Sequence, residues 1–211
     1  MKTSLQYFCK GLLLILVCCF MHSGLYAQTA VADVGKSFAN ISKLKTGGTF
    51  NPGDTIEVRV TFAVRNVSPS QITNVQVYDT VPAKTTYIPT SIRITTNEGI
   101  TYRGPFTDAN DTDPGRHVGG NILINLGNGA TGTTGGTIKN NDKPSFFGSS
   151  CIMVACYRIR INPSAVYGDI FSIGGKATYS ISGTPVTINF PKYEIILSQY
   201  NLSPCINGTD V

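Results

Sequence analysis

The stretch between residues 52 and 82 constrains the fold of this chain more than any other part. Its first half alternates apolar with polar or small side chains: Ile56, Val58, Val60, Phe62 and Val64 are separated by Glu57, Arg59, Thr61 and Ala63. A period of two predicts a β-strand with one buried face and one solvated face. A second alternating run covers residues 72–79. No helical period separates the two runs, so they are predicted to pair as an antiparallel sheet.

The rest of the chain continues this pattern of short strands. Strands are predicted over residues 37–45, 55–65, 72–79, 85–88, 91–95, 100–103, 121–126, 151–161, 169–180 and 185–197. Asn51-Pro52-Gly53-Asp54 predicts a turn with Gly53 at positive φ, and residues 127–148 predict a loop rich in Gly, Thr and Asn. Together these features predict an all-β fold, an immunoglobulin-like antiparallel β-sandwich.

The N-terminus predicts export from the cytoplasm. Lys2 and Lys10 accompany an apolar run over residues 11–20, and Ala27 supplies a small residue for cleavage. The run is shorter than the roughly 20 apolar residues that span a bilayer. We therefore expect a cleaved signal peptide over residues 1–27, a sandwich module over residues 28–200, and a linker or the start of a further repeat over residues 201–211. The predicted location is secreted or cell-surface, with no membrane-spanning segment after cleavage.

Net charge and the available side chains exclude several classes of function. The net charge of the whole chain is +5, and the predicted leader removes two lysines and no acid, which leaves +3. So weak a charge indicates neither a nucleic-acid partner nor a membrane surface. After cleavage His117 is the single histidine, and it completes no Ser-His-Asp or Cys-His set, so we expect no enzyme. Residues 127–132 match G-x-G-x-x-G, but no helix pattern follows, so a loop is predicted rather than a cofactor site.

Three cysteines remain after cleavage, an odd number for an oxidising compartment. Cys151 and Cys156 are a candidate disulfide. A fully extended chain would hold them about 17 Å apart, beyond the disulfide limit of about 7 Å, so they can pair only if the chain turns or bulges between them. The third, Cys205, lies near the end of the sequence.

An acidic loop is the candidate metal site. Asp108, Asn110, Asp111 and Asp113 fall within six residues, and clustered carboxylate and amide oxygens suit calcium. The spacing does not match the EF-hand pattern. The alternative is a solvated turn whose side chains cap their own backbone. No other cofactor is expected.

Four segments together resemble the bacterial surface-protein conserved repeat domain: residues 41–45, 51–66, 72–94 and 156–180. The resemblance spans residues 41–181 and implies an immunoglobulin-like stalk or adhesion module without catalytic residues. Residues 202–211 are similar to the opening of cysteine-containing immunoglobulin-like repeats, which implies that Cys205 pairs within a following repeat.

Some related surface modules form an internal Lys–Asn isopeptide bond beside an acidic residue. Lys43 or Lys45 sits where the resemblance implies the lysine, whereas Gly174 and Gly175 stand where the asparagine is expected. We therefore expect no such bond from either lysine.

Two functional classes follow from the sequence. The favoured one is a structural or adhesive module, with other repeats of the same polypeptide or an extracellular protein or carbohydrate as partner. The alternative is a stand-alone lectin-like sandwich that binds carbohydrate or protein. Exposed aromatic residues clustered on one face would favour the alternative, and the candidates near loops are Tyr87, Tyr102, Phe106, Phe146 and Phe147.

Overall fold

The computed structural model describes residues 31–43, 50–65, 70–96, 101–103, 106–140 and 151–198. The predicted leader, Lys45, Phe146, Phe147 and Cys205 lie outside these residues. The strands of the described part are β1 (Ala32–Asn40), β2 (Thr55–Val64), β3 (Gln71–Thr80), β4 (Thr85–Tyr87), β5 (Arg93–Thr96), β6 (Thr101–Arg103), β7 (Gly115–Val118), β8 (Asn121–Leu126), β9 (Gly136–Lys139), β10 (Cys151–Ile161), β11 (Ile170–Ile173), β12 (Lys176–Ile181), β13 (Thr184–Asn189) and β14 (Tyr193–Ile196). Within the same ranges there is no apolar helix of membrane-spanning length.

Two sheets form the sandwich. The first sheet has the strand order β1-β2-β10-β5-β6, and β4 also pairs with β10. The second sheet has the order β13-β12-β3-β8-β7, and β9 also pairs with β3. Strands β11 and β14 form a separate two-stranded ribbon. Neighbouring strands are antiparallel throughout, so the predicted all-β antiparallel sandwich is confirmed.

The predicted pairing of the first two alternating runs is wrong. Strand β2 lies between β1 and β10 in the first sheet, whereas β3 lies between β8 and β12 in the second. An alternating strand needs only to turn its apolar face to the core. Two alternating strands can do this either as neighbours in one sheet or as members of two sheets that face each other across the core.

The predicted core orientation is confirmed. Val58, Val60 and Phe62, on the apolar face predicted for β2, are at most 1% exposed, and so are the core residues Val77, Ile124, Tyr157, Ile159 and Ala177 of other strands. Within the first sheet Phe62 lies opposite Val34 and Met153. Its ring meets that of Tyr179 from the second sheet edge-to-face, with 6.5 Å between centroids. Phe62 therefore links the two layers at the centre of the core.

The boundaries of several strands differ from the prediction. The first strand covers residues 32–40 rather than 37–45, because Asn40 ends it: its amide donates to Asp54 and its Oδ1 accepts from the Ser42 amide. Each of the two long C-terminal runs is divided into two strands, at residues 174–175 and 190–192. Gly53 has φ of 87°, as predicted for its turn.

Two short strands were not predicted. Strand β7 follows the acidic loop, and β9 lies inside the stretch predicted to be a loop. The G-x-G-x-x-G segment leads through a turn into β9, which agrees with the expectation that no helix follows it. These strands are short and rich in polar residues, so they carry little hydrophobic period of their own.

Glu57 was predicted on the solvated face of β2, yet it is only 8% exposed. Its carboxylate accepts from Arg59 Nε at 2.7 Å and from Arg158 Nε at 3.0 Å. The aliphatic parts of such arginines cover neighbouring surface while their charged ends remain in water. An outward-facing acid on a flat sheet can therefore be largely covered by its own ion-pair partners.

Candidate functional site: a buried lysine and aspartate between the sheets

A lysine occupies an inward position on the first strand. Val34, Lys36 and Phe38 share one face of β1, and Lys36 lies opposite Val60 of β2. The side chain of Lys36 is 1% exposed. A buried ammonium is costly unless it is paired and hydrogen-bonded. The surroundings of Lys36 must therefore supply acceptors.

One acceptor of Lys36 lies in the second sheet, and the other lies in the segment that leads into a strand of that sheet. Lys36 Nζ donates to Asp79 Oδ2 and to the backbone carbonyl of Gly174. It also lies 5.5 Å from the centre of the Phe190 ring. The lysine side chain thus crosses from β1 of the first sheet to β3 of the second.

Asp79 is the centre of this cluster. Its side chain is 2% exposed, because it follows Val77 on the inward face of β3. Besides Lys36, it accepts from the Tyr157 hydroxyl at 2.5 Å and from the Thr80 amide at 2.9 Å. Among the described residues, no buried side-chain nitrogen or oxygen lacks a hydrogen-bond partner. The charged pair is therefore fully satisfied.

Burial changes the acid–base behaviour of both donors. It lowers the pKa of Lys36, and the Asp79 carboxylate counteracts this effect through its charge and hydrogen bond. Burial and the same carboxylate raise the pKa of Tyr157 well above its ordinary value. Tyr157 therefore stays protonated over the physiological range and serves as a fixed donor to Asp79.

Gly175 lies against the Lys36–Asp79 pair. Gly175 has φ of +107°, and a Cβ at this position would lie 2.6 Å from the Tyr78 carbonyl oxygen and 2.8 Å from Asp79 Oδ1. Side chains rarely adopt this backbone conformation, and the space is already filled. The observed backbone therefore requires glycine at position 175. The resemblance implies an asparagine at this place in the sequence.

The lysine beside the acid is not one that the resemblance singled out. Lys43 lies in the turn after β1 and pairs with Asp54 at 3.4 Å, and Lys45 lies outside the described residues. Lys36 holds the position instead. One sequence signal pointed to it: a lysine at an apolar position of an alternating run, between Val34 and Phe38.

This geometry supports a non-covalent link. An amide bond to Lys36 would need a free amine and an acyl carbon with a leaving group, such as a carboxamide. The side-chain acyl group within reach is the Asp79 carboxylate, a poor electrophile that three donors hold as an acceptor. The cluster is therefore suited to hold the sheets together as an ion pair.

We expect the intact mass of the unfolded, reduced protein to equal the mass calculated for the linear chain after leader removal. An ion pair dissociates on unfolding and leaves no change in mass. Mass spectrometry under denaturing conditions measures this, and Lys36→Ala is the control for assigning a crosslinked peptide. Loss of one water or one ammonia, mapped to Lys36, would show that a covalent bond forms.

The structure places the candidate calcium residues in one loop but engages their oxygens internally. Asp108 accepts from the Tyr87 hydroxyl and the Thr90 amide. Asp111 and Asp113 both accept from Thr107. The remaining residue, Asn110, accepts from Arg116. No group of three or more His, Cys, Asp or Glu among the described residues is arranged to hold a metal ion.

The calcium prediction can be tested by thermal unfolding. Because the loop oxygens already accept hydrogen bonds from their neighbours, we expect millimolar calcium to leave the melting temperature unchanged. An ion that binds only the folded state would raise it by mass action. A calcium-dependent rise that Asp111→Asn and Asp113→Asn abolish would establish the metal site.

The two described cysteines lie on one uninterrupted strand. Cys151 is opposite Val64 and Cys156 is opposite Arg59, and the register between them is regular. Strand β10 thus lacks the turn or bulge that a disulfide between them would need. Burial and the Glu57 carboxylate raise the pKa of the Cys156 thiol, which disfavours the reactive thiolate.

Two of the five aromatic residues near loops, Tyr87 and Phe106, have side chains that the structure describes, and neither is exposed. Tyr87 is 6% exposed and Phe106 is 4% exposed, and both belong to the core. The ring of His117 stacks on Tyr87, with 4.2 Å between centroids. His117 of β7 is therefore a packing residue against Tyr87.

Comparison with known proteins relates the chain to others by fold alone. No protein-family profile matches it, and no curated protein matches it. Among solved structures it is similar to BcpA, the major pilin subunit of Bacillus cereus: the TM-score is 0.50 at 10% identity, and the match covers 78% of this chain and 40% of that chain. A variant of the same pilin gives a TM-score of 0.51 with the same identity and coverage.

A C-terminal fragment of the major pilin GBS80 of Streptococcus agalactiae gives a lower TM-score of 0.47 at 12% identity, with 78% of this chain and 56% of that chain covered. The chain thus spans about two-fifths of the length of the B. cereus pilin. The similarity to that pilin shows that the described residues share the β-sandwich fold of part of a bacterial pilus subunit.

Proposed function

We propose that this chain is a non-enzymatic structural or adhesive module of a secreted or cell-surface bacterial protein, in which it acts as a stalk or spacer. The observation that carries the proposal is the buried Lys36–Asp79 pair. It joins the first strand of one sheet to the central strand of the other. A link of this kind serves cohesion between layers, which is what a load-bearing module requires.

The fold supports the same proposal. Residues of both sheets form one continuous hydrophobic core. The resemblance to surface-protein repeats and the fold shared with a pilin place comparable sandwiches in proteins of the bacterial surface. The partners we propose are other repeats of the same polypeptide, or an extracellular protein or carbohydrate.

The predicted domain organisation belongs to this proposal. Residues 1–27 would be the leader, residues 28–200 the module, and residues 201–211 a linker or the start of a further repeat. Surface labelling tests the location: antibodies against the module should bind intact cells that express the whole gene, and mild external proteolysis should remove the label. Label that appears only after lysis would refute a surface role.

We expect the exported protein to begin at Gln28 or within a few residues of it. The basic start, the apolar run and Ala27 fit the pattern that signal peptidase cleaves. N-terminal sequencing of protein from culture medium or cell surface measures the position, and Ala27→Pro is a matched control that should block processing. Exported protein that retains Met1 would overturn the leader assignment.

A further inference from the structure

Most of the large apolar side chains that stay exposed lie in one region. In the described part of the chain six such residues are exposed, and five of them belong to the β11–β14 ribbon or to the turn before it: Val166, Tyr167, Ile170, Tyr193 and Ile196. We call Tyr167, Ile170 and Ile196 the ribbon patch, because they lie in the ladder between the two strands or directly before it. Each of the three is at least 50% exposed. Exposed apolar residues that cluster in this way mark an interaction site.

The strand register sets the orientation of the patch. Ile170 and Ile196 are direct cross-strand partners. Their neighbours Phe171 and Ile195 are buried in the core, so by alternation the two isoleucines point away from it. Gly168, two residues before Ile170, has no side chain, and a Cβ at this position would have no atom beyond its chain neighbours within 4 Å. The outer face of the ribbon is therefore open beside the isoleucine pair.

The described chain leaves the sandwich beside this patch. The Leu197 amide donates to the Asp169 carbonyl at 3.0 Å, and the Gly168 amide donates to the Leu197 carbonyl at 2.8 Å. These bonds hold the chain against the turn directly after β14. Residues 199–211 lie outside the described residues. Residue 199 follows Ile196 by three positions, which span at most about 11 Å, so this segment begins next to the ribbon patch.

The sequence of this segment suits an apolar contact. Residues 199–211 contain a single charged side chain, Asp210, and four large apolar ones: Tyr200, Leu202, Ile206 and Val211. Tyr200 and Leu202 follow Ile196 by four and six positions, so both can reach the patch through a connection of ordinary loop length. The segment therefore brings apolar side chains, and almost no charge, close to the patch.

The size of the patch favours an attached partner over a separate one. Three half-exposed side chains present on the order of a few hundred Å², comparable to the largest apolar patch of an ordinary monomer. A stable complex between two separate chains buries about 800 Å² on each partner. A tethered segment needs less area, because its attachment gives it an effective concentration on the order of millimolar. Residues 199–211 are thus a better cover for the patch than a second copy of the chain.

We propose that residues 199–211 pack on the ribbon patch, with Tyr200 or Leu202 against Ile170 and Ile196. The packing covers the exposed isoleucines and fixes the direction in which the chain leaves the sandwich. It does not depend on the stalk role, since any function of the module is compatible with a covered patch. If the segment does not pack, the structural or adhesive proposal stands unchanged.

A double-mutant cycle on the whole chain without its predicted leader tests the contact. The segment variant is Tyr200→Ser with Leu202→Ser. The patch variant is Ile170→Thr with Ile196→Thr, in which threonine keeps the β-branched shape that strands favour. We expect the segment variant to lower the melting temperature by about 2–4 °C, the shift for loss of one modest contact in a protein of this size. In the patch-variant background the same change should lower it by less than about 1 °C, because the contact is already lost.

Val118→Thr is the matched control. Val118 is also a half-exposed apolar strand residue, but it belongs to β7 of the second sheet and not to the ribbon. The segment variant should keep its full effect on the melting temperature in this background, because distant changes are additive. Circular dichroism at 25 °C confirms that each variant is folded.

Fluorescence of the dye anilinonaphthalene sulfonate gives a second readout on the folded proteins. The segment variant should increase the dye signal by uncovering the patch, and the patch variant should remove this increase. An equal effect of the segment variant in all three backgrounds, or no effect in any of them, would overturn the proposal. So would a melting temperature that rises with protein concentration in the parent chain but not in the patch variant, because that result would assign the patch to a second copy of the chain.

Discussion

Asp79→Ala is expected to destabilise the protein by about 3–5 kcal/mol, because it leaves the buried Lys36 ammonium without its counter-charge. The loss also removes the acceptor of the Tyr157 hydroxyl, at 2.5 Å from Asp79 Oδ2. Lys36 cannot easily reach water, since its side chain is 1% exposed. Equilibrium unfolding in guanidinium chloride measures the change in free energy.

Matched variants separate the charge from the packing. The double variant Lys36→Met with Asp79→Leu replaces the pair by apolar groups of similar size. Such replacements of an ion pair are often neutral or stabilising, so the part of the loss that comes from the unpaired charge should be recovered, whereas the part that comes from the Tyr157 hydroxyl should remain. Tyr157→Phe removes one hydrogen bond and should cost about 0.5–3 kcal/mol. A small effect of Asp79→Ala, well below 2 kcal/mol, would mean that Lys36 finds another acceptor or that water enters the site.

Phe62→Ala is expected to cost about 3–5 kcal/mol, the range for removing a buried aromatic ring. Phe62 is 0% exposed, lies in the middle strand of its three-strand ladder, and contacts Tyr179 across the core. Val166→Ala is the control: this residue is 62% exposed, so its truncation should change stability by no more than about 0.5 kcal/mol. The same denaturant titration measures both.

A cost for Phe62→Ala as small as that for Val166→Ala would mean that the ring does not contribute to the core. The orientation of β2 would then need revision. Phe62→Leu provides an intermediate case, because it keeps an apolar side chain and loses less volume.

The alternation of side chains predicted which faces are buried but not which strands are neighbours. Strands β2 and β10 have runs long enough to fix their inward residues, and both were predicted with accurate bounds. Sheet membership depends on contacts distant in sequence, such as Ile56 with Ile159. The alternating pattern of β2 and β3 is the same whether they pair or face each other, so the sequence could not distinguish the two arrangements.

The contact between Lys36 and Asp79 could not be predicted from the sequence. Lys36 and Asp79 are separated by two loops and belong to different sheets, so their approach depends on the topology. The inward position of each could be read from its own strand, Lys36 between Val34 and Phe38 and Asp79 after Val77. The first strand was predicted about five residues too late, at residues 37–45. The lysine of that strand was therefore taken to be Lys43 or Lys45 instead of Lys36.

The position of Lys36 within β1 has a consequence for a module under tension. A pull on the N-terminal side would first strain the ladder between β1 and β2, beginning at Ala32 and Val64. Peeling would reach Lys36 after only four residues of the strand. There the side chain crosses to Asp79, so part of the force passes into the second sheet. The ion pair would then act as a mechanical stop, and it could re-form after each extension because no covalent bond has to be remade.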